Sequence, residues 1–538
     1  MSASLGRATL IQAAGTTLSR VTGFGRVFAL AYALGAGLLA DTYNLANNTP
    51  NILFELILGG VLSGMVLPEF VRQLRGGDEE EGWRAVSAVV TVSMVGCTAL
   101  AAAFVVVAPW FIRLYTLRKG GEVGSEQLAV ATDLLRLFAP QVFFYGTVYL
   151  STAILRAQRR FAAPMFAPVL NNLVVIALFL AWPSVVGSRE LSEIRDDSGA
   201  LLLLGLGTTA GVAAMALAQL PLRTIVRHVR WVWEPRHPSV VRIVRLGGWT
   251  AAFVATNQLA LFVVYFLANG RAGDVTVYVF AYTLFLLPHG IVSVSIISTL
   301  QPELADAWAG NDVDRYRRQL GIGLRSIWAV IVPAAIGYIL LARPLVSALL
   351  EHGALSRASA GEVAGTLALF ALGLPAFSSW MFLTSSYQAM QDTKSLFFLY
   401  LIENGVNVVA ALALYPLLGV QGLALAFALA YTAGTAAALI HLRRRLRGIE
   451  GRHLAASAAR IAGAAAVMAA AVGAVVIFVG SDSGLGALVR SGVGTVTGVT
   501  VFFIAARVLG VSEIRELLTV RGGRQAGAGE APGKAGSA

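Results

Sequence analysis

The sequence predicts an all-α polytopic membrane protein with fourteen transmembrane helices. Hydrophobic residues make up 57% of the 538 positions and charged residues only 13%, and the mean hydropathy is +0.72. A soluble domain does not have this composition. Apolar runs of about twenty residues, the length that crosses a bilayer, recur along the whole chain. Because no connection between them is long enough for a folded domain, any chemistry must occur in the membrane or at its surfaces.

The spans are expected to begin near residues 8, 43, 85, 128, 161, 199, 246, 274, 321, 361, 395, 419, 454 and 484. Arginines cluster in alternate connections, namely Arg72, Arg75 and Arg84; Arg156, Arg159 and Arg160; Arg223 through Arg245; Arg315, Arg317 and Arg318; and Arg443 through Arg452. Basic loops are retained in the cytoplasm, so both termini are predicted to be cytoplasmic. Arg113, Arg118 and Lys119 are the main exception, because they fall in a loop predicted to be outside.

A weak internal repeat predicts two lobes of six helices. "VLPEF" at 66–70 returns as "LQPEL" at 300–304, and "LRAQRRF" at 155–161 is echoed by "YQAMQDT" at 387–393. These offsets of about 232 to 234 residues, through an even number of spans, indicate a parallel repeat around a central cavity. The predicted organisation is an N-lobe of helices 1–6 over 1–226, a basic cytoplasmic linker over 227–245, a C-lobe of helices 7–12 over 246–447, two additional C-terminal helices over 448–510, and a cytoplasmic, largely disordered tail over 511–538.

Composition also limits the possible partners and cofactors. The net charge of +12 is explained by arginines between apolar segments rather than by nucleic-acid binding. Cys97 is the only cysteine, which excludes a disulfide framework and a cysteine metal site. His289 and His352 are isolated, and no HExxH, GxSxG or P-loop pattern occurs. We therefore predict no enzymatic activity, cofactor or metal.

Arg20 and Arg26 lie inside the first apolar stretch. An arginine at the centre of a membrane helix costs about 2.5 to 3.5 kcal/mol, so it is retained mainly where it faces a polar cavity or a partner. Gly23 and Gly25 permit a bend that turns both guanidinium groups toward one interior surface. The alternatives are that Arg20 pairs with a carboxylate and that Arg26 snorkels to the interface. Possible carboxylate partners are Glu55, Glu69 and Glu303.

These residues carry a family resemblance. "SRVTGFGR", followed by "GAGLLADTYNLANNTPNILFELILGGVLSGMVLPEF", resembles the first two helices of the MurJ (MviN) family, bacterial lipid II flippases of the multidrug/oligosaccharidyl-lipid/polysaccharide (MOP) exporter superfamily. "RFAAPMFAPVLNN" at 160–172 and "LPHGIVSVSIISTLQPELADAWAGND" at 287–312 are similar to its fifth and eighth helices. The resemblance extends over most of residues 8 to 445 and implies fourteen helices, two six-helix lobes around a central cavity, and two additional C-terminal helices.

The resemblance also implies site residues. Arg20 and Arg26 match the first-helix arginines that the family turns into its cavity, Asp41 matches an acidic residue at the start of the second helix, and Asn51 belongs to the Pro-Asn element. With Glu55, they form the expected substrate-binding set. The implied ligand of the arginines is a diphosphate, whose oxygens a planar guanidinium engages two at a time.

This chain departs from the family pattern at three places. Glu55 stands where many members have the second arginine of Pro-Asn-x-x-Arg-Arg, and Tyr282, Thr283 and Leu286 replace an Asp, an Arg and a Glu of the eighth helix. The seventh helix, which carries a carboxylate in members that use sodium, offers Asn257 and Gln258 only, so no sodium site is predicted.

The resemblance implies a flippase that moves undecaprenyl-diphosphate-linked peptidoglycan precursor, lipid II, from the inner to the outer leaflet of the bacterial cytoplasmic membrane by alternating access. Membrane lipids are expected partners, together with cell-wall synthesis or regulatory proteins. The first alternative is a MOP exporter of another lipid-linked oligosaccharide or of drugs. An intramembrane glycosyltransferase and a scaffold for cell-wall proteins are the remaining alternatives.

Overall fold

The computed structural model describes residues 2–55, 66–75 and 78–511, and every regular element in these ranges is a helix. Eleven helical segments are long and apolar enough to cross a membrane, or twelve if the bent pair Arg357–Leu372 and Leu374–Ala389 is one span. The all-α, multi-span prediction is therefore confirmed. The total of fourteen spans stays a prediction, since the first helix, with its arginines, and the second helix are not among these segments.

The helices up to residue 288 are α1 (Ser2–Leu34), α2 (Leu38–Phe54), α3 (Val66–Leu74), α4 (Glu79–Thr116), α5 (Gly121–Phe138), α6 (Gln141–Ala157), α7 (Ala162–Val185), α8 (Leu191–Asp196), α9 (Ser198–Gln219), α10 (Leu222–His228), α11 (Pro238–Ala268) and α12 (Asp274–Pro288). Local sequence explains several ends. Asp78 caps α4 by accepting hydrogen bonds from the backbone N–H groups of Glu80 (3.0 Å) and Glu81 (3.2 Å). Gly35 follows α1 in the left-handed region, with φ of 67°.

One π-helical turn, His289–Ser293, separates α12 from the next helix. The remaining helices are α13 (Val294–Ala309), α14 (Val313–Leu350), α15 (Arg357–Leu372), α16 (Leu374–Ala389), α17 (Thr393–Leu418), α18 (Val420–Arg445), α19 (Gly451–Phe478) and α20 (Gly484–Val508). A bend of 51° at Gly373 separates α15 from α16.

The chain divides into two compact units, each built from separate stretches of sequence. The first contains residues 1–283, 349–366 and 396–426, and the second contains 284–348, 367–395 and 427–538. The predicted lobes over 1–226 and 246–447 stay a prediction. The tail predicted over 511–538 lies outside the described residues from 512 onward.

The first unit has an apolar core between α3, α4 and α6. Val66 and Phe70 of α3 pack there with Val86 of α4 and with Ile154 of α6, all of them nearly inaccessible to solvent. The extended segment 229–237, part of the predicted linker, is fastened to α4: the backbone N–H of Arg230 donates to the Ser87 hydroxyl (3.1 Å), and Arg84 pairs with Glu234 (2.5 Å).

The second unit is held together by aromatic and small apolar side chains. The ring of Phe285 lies 5.2 Å from that of Phe377 and 5.4 Å from that of Phe427, in the tilted and edge-on arrangements that aromatic pairs favour. A second cluster joins α14 to the last two helices, with Leu341, Met468 and Phe502 buried together.

Candidate functional site

Arg20 and Arg26 are half-buried residues of α1, which continues without interruption from Ser2 to Leu34. In the described ranges 2–55, 66–75 and 78–511, neither guanidinium lies within ion-pair distance of a carboxylate. The Nε atom of Arg20 is buried and has no hydrogen-bond partner there. Among the described residues these two positive charges have no carboxylate counter-charge, so both are available to bind an anion.

Two of the carboxylates expected to pair with Arg20, those of Glu69 and Glu303, form ion pairs with other arginines. Glu69 pairs with Arg72 at 2.5 Å and with Arg242 at 3.8 Å. Glu303 pairs with Arg315 at 2.5 Å. Neither of these two carboxylates pairs with Arg20.

The glycines of α1 pack against α7. A Cβ atom at Gly25 would lie 3.2 Å from Cδ1 of Ile176. Asn172 fastens the same face of α1, because its Nδ2 donates to the Ser19 carbonyl (3.1 Å) and to the Thr22 hydroxyl (3.0 Å). Arg20 and Arg26 are six positions apart in α1, which corresponds to about 600° of rotation in an ideal helix. Because this is about 120° short of two full turns, the two side chains leave the helix about 120° apart.

Tyr145 of α6 interacts with two of the expected site residues, Asn51 and Arg26. The Tyr145 hydroxyl interacts with the side chain of Asn51 and with the positive charge of Arg26. The ring of Tyr145 lies 5.5 Å from that of Phe54, at the end of α2. Asn51 is half-buried and donates to the carbonyl of Asn47 at 3.2 Å. The structure thus joins two of the expected site residues and adds a phenol that sequence reasoning missed.

Asp41 has a different environment. Its carboxylate is completely buried and accepts hydrogen bonds from the backbone N–H of Gly273 (2.6 Å), the backbone N–H of Thr276 (2.9 Å) and the Thr276 hydroxyl (2.8 Å). These donors lie at the start of α12, so Asp41 caps that helix from α2. In this conformation the side chain has no surface to offer to a ligand.

Glu55 is exposed at the end of α2, and it interacts electrostatically with Tyr149 of α6. Within the described part of the chain it forms no ion pair with Arg20 or Arg26. Glu55 therefore lies near α6, the helix that carries Tyr145, and its carboxylate is exposed.

Tyr282, one of the substituted eighth-helix positions, lies near a buried carboxylate. Tyr282 of α12 interacts electrostatically with Glu403 of α17, and Glu403 accepts a hydrogen bond from Asn404 at 2.6 Å. Phe253 of α11 stacks on Tyr400, one turn earlier in α17, with ring centroids 4.9 Å apart.

One of the two seventh-helix amides, Gln258, has a structural role in this conformation. Gln258 of α11 donates to the backbone carbonyl of Ile52 at 3.2 Å. Among the described residues there is no cluster of three or more His, Cys, Asp or Glu side chains suited to a metal ion.

The family model described as "Lipid II flippase MurJ" matches residues 30–494 of this chain. A probable lipid II flippase MurJ from Rhizobium meliloti (strain 1021) is 28% identical over 463 residues, covering 85% of this chain and 84% of that protein. A lipid II flippase MurJ from Burkholderia cenocepacia is 28% identical over 455 residues, covering 82% of this chain and 84% of that protein.

Two solved structures show the same fold. One is a lipid II flippase MurJ in an inward closed conformation, with a TM-score of 0.76, 19% identity and coverage of 95% of this chain and 100% of that one. The other is an inward-facing multidrug resistance MATE family transporter of the MOP superfamily, with a TM-score of 0.64, 15% identity and coverage of 80% and 96%. Because the family model spans well over half of the sequence, the chain belongs to the lipid II flippase MurJ family.

Proposed function

We propose that this chain is a lipid II flippase that moves the undecaprenyl-diphosphate-linked sugar-peptide from the inner to the outer leaflet by alternating access. Membership of the MurJ family supports this proposal, as do the relatives that carry the name lipid II flippase. The family is one of transporters, which supports a transport function rather than catalysis.

The observation that carries the proposal is the pair of uncompensated guanidinium groups in α1. Arg20 and Arg26 have no carboxylate partner in the part of the chain that the structure describes, and such arginines are costly in a membrane helix unless an anion or water reaches them. A lipid-linked diphosphate supplies compact negative charge and paired oxygens, which match the donor geometry of guanidinium. The Asn51 amide and the Tyr145 hydroxyl, grouped with Arg26, add neutral donors for the same oxygens.

The other two site residues take different roles in this proposal. Glu55, exposed at the end of α2, accepts hydrogen bonds from the sugar-peptide headgroup. Asp41 acts as a positioning residue: it fixes the start of α12 against α2, so it influences transport through helix arrangement.

The proposed topology has fourteen spans, with α1 and α2 as the first two and both termini in the cytoplasm. Two six-helix lobes would rock about the site, and the two C-terminal helices would lie outside the repeat. The distribution of arginines supports this orientation in the bacterial inner membrane.

Genetic rescue tests the function. The gene is expressed in a bacterium whose own lipid II flippase is depleted, with the amount of protein in the membrane measured through a C-terminal tag. Growth and normal cell shape are expected. A normal membrane level without rescue, together with export of a drug or of another lipid-linked oligosaccharide, would contradict the proposal and favour the MOP exporter.

A further inference from the structure

A cavity of about 510 Å³ lies where three connections of the first unit meet. Its lining includes Arg118 after α4, Arg271 between α11 and α12, and Tyr415 near the end of α17. All three connections are on the side of the membrane that the basic loops predict to be outside. Arg118 and Arg271 therefore oppose the charge bias of the rest of the chain, and basic residues retained on that side need an explanation.

Both guanidinium groups are available to a ligand. Within the described ranges neither Arg118 nor Arg271 forms an ion pair or a hydrogen bond to a side chain. Asp274 interacts electrostatically with Arg271, but its Oδ2 already accepts a hydrogen bond from the Tyr415 hydroxyl at 3.0 Å. Lys119 adds a third positive charge beside the cavity, where its ammonium donates to the Asn269 side chain at 3.2 Å.

Two aromatic rings hold Arg118 in place. The Arg118 Cζ atom lies 5.6 Å from the ring centroid of Tyr415 and 6.0 Å from that of Phe266, within the range of cation–π attraction. Tyr415 is itself buried and fixed by its bond to Asp274. An arginine that only snorkels to the interface does not need two aromatic rings to hold it.

Two glycines keep the space beside the guanidinium groups open. A Cβ atom at Gly419 would lie 3.1 Å from Nη1 of Arg271, and one at Gly270 would lie 3.7 Å from Cζ of Arg118. Gly419 also has φ of 59°, in the left-handed region that favours glycine. A side chain at Gly419 would therefore crowd the guanidinium group of Arg271.

Part of the cavity lining is apolar. Leu417 and Leu418, at the end of α17, are 77% and 47% exposed, and Leu117, next to Arg118, is 64% exposed. Exposed leucines beside paired guanidinium groups at helix ends match a ligand with a phosphate head and hydrocarbon chains. A free anion would make no use of the leucines.

We propose that Arg118 and Arg271 form a binding site for the phosphate group of a membrane lipid on the outer side. Two sources share this chemistry, an anionic phospholipid of the outer leaflet and a polyprenyl diphosphate lipid. The site is separate from Arg20 and Arg26 and does not depend on the proposed transport function.

Native mass spectrometry of the purified full-length chain in detergent tests the site. The probes are phosphatidylglycerol, phosphatidylcholine as the reference for non-specific adhesion, and undecaprenyl diphosphate. The double variant Arg118→Gln/Arg271→Gln should lose about thirtyfold in affinity for the lipid that uses the site, since each basic residue contributes roughly a factor of five. Arg113→Gln is the matched control, because Arg113 is an exposed arginine of the same end of α4 that does not line the cavity.

The pattern of losses identifies the source. If the double variant loses binding of phosphatidylglycerol relative to phosphatidylcholine, the ligand of the site is an anionic phospholipid. If the double variant loses binding of undecaprenyl diphosphate alone, the ligand is the diphosphate lipid. If the glutamine variant does not fold, Arg118→Lys/Arg271→Lys keeps the charge and should still bind more weakly than the unmodified chain, since an ammonium lacks the planar fork. Unchanged binding of every probe in the double variants, or equal weakening in Arg113→Gln, would overturn the proposal.

Discussion

The carboxylate of Asp41, near the start of α2, accepts hydrogen bonds from both the backbone N–H and the hydroxyl of Thr276, at the start of α12. The Asn44 side chain donates to the same Thr276 hydroxyl at 3.1 Å, and these two residues are 232 positions apart. Asp274, which follows Asp41 by 233 positions (274 minus 41), stands in the first turn of α12 as Asp41 does in α2. The contact therefore joins the beginnings of two helices that correspond in the predicted repeat.

Removing the Asp41 carboxylate should destabilise the protein. In Asp41→Ala the buried N–H groups of Gly273 and Thr276 lose their acceptor, and each unsatisfied buried donor costs about 1 to 3 kcal/mol. We expect a clear fall in Tm, measured in detergent by the loss of helical signal on heating. Asp41→Asn keeps one acceptor oxygen and should lose less.

Asp133→Ala is the matched control for this substitution. Asp133 of α5 is half exposed and, among the described residues, its one ion pair is with Arg136, three residues later, at 3.3 Å. Exposed pairs of this kind contribute about 0 to 1 kcal/mol, so the Tm should change little. Equal Tm values for Asp41→Ala and Asp133→Ala would show that the buried hydrogen bonds of Asp41 do not stabilise the fold.

The sequence predicts the fold class well because the helical pattern depends on hydropathy, which each segment carries by itself. The positions of the arginines relative to the apolar runs also pointed to Arg20 and Arg26 as charges that need an explanation. Partners distant in the sequence could not be predicted in this way. Nothing in the sequence around Asp41 indicates that its carboxylate accepts hydrogen bonds from Gly273 and Thr276. These residues come close to Asp41 only in the folded chain.

Tyr145 and Asn172 illustrate the same limit. Each is one of several polar residues in an apolar helix, and a helix of this kind shows little periodicity to indicate which face is internal. The Asn171–Asn172 pair does carry a signal, because Glu403–Asn404 follows it by 232 positions, the spacing of the predicted repeat. The hydrogen bonds from Asn172 to α1, beside Arg20, depend on how α1 packs on α7, which the sequence does not indicate.

Thiol labelling should distinguish Asn51, which lies near Arg26, from Asp41, whose side chain is buried at the start of α12. In a Cys97→Ser background, a cysteine at Asn51, which is half-buried, should react with a small water-soluble thiol reagent, although hydropathy places it in lipid. A cysteine at Asp41 should be protected, since this side chain has no exposed surface. Ala46, also fully buried on α2, is the control for background reaction. Labelling of position 46 as fast as position 51 would argue against a water-accessible surface at Asn51.

Reporter fusions should establish the predicted topology. Fusions after Arg75, Arg236 and Arg447 should report the cytoplasm, because arginine-rich connections are retained there. Fusions near Glu193, in α8, and near Gly273, before α12, should report the outside. A single reversed site would break the arrangement of two lobes with six spans each, and the orientation of the Arg118 cavity would have to be revised with it.

Lys119 should make the stability of the folded chain rise with pH in the alkaline range. Burial lowers the pKa of its amino group below the ordinary value of 10.5, while the negative charges of Asp41 and Asp274 oppose this shift. Between the lowered pKa and about 10.5 the unfolded chain binds more protons than the folded one, so this group's contribution to stability rises with pH. The Tm of the unmodified chain minus that of Lys119→Met should increase from neutral toward pH 10.5. Lys394→Met, at an exposed lysine, is the matched control; a falling or constant difference for Lys119→Met would contradict the prediction.

Arg20 and Arg26 should each be essential for rescue of a flippase-depleted strain. The family resemblance implies further arginines in the second and eighth helices, which this chain lacks, so these two groups should carry more of the attraction for a diphosphate. Arg26→Ala should abolish rescue at normal membrane levels, and Arg26→Lys should restore it only in part, since an ammonium keeps the charge but cannot engage two oxygens in one plane. Arg72→Ala is the control, because Arg72 is a half-exposed arginine that already pairs with Glu69. Arginines that only snorkel would tolerate lysine fully and glutamine nearly so. Full rescue by Arg20→Gln/Arg26→Gln and by Arg20→Lys/Arg26→Lys would therefore show that neither residue binds the diphosphate, and the exporter of uncharged substrates would become the better interpretation.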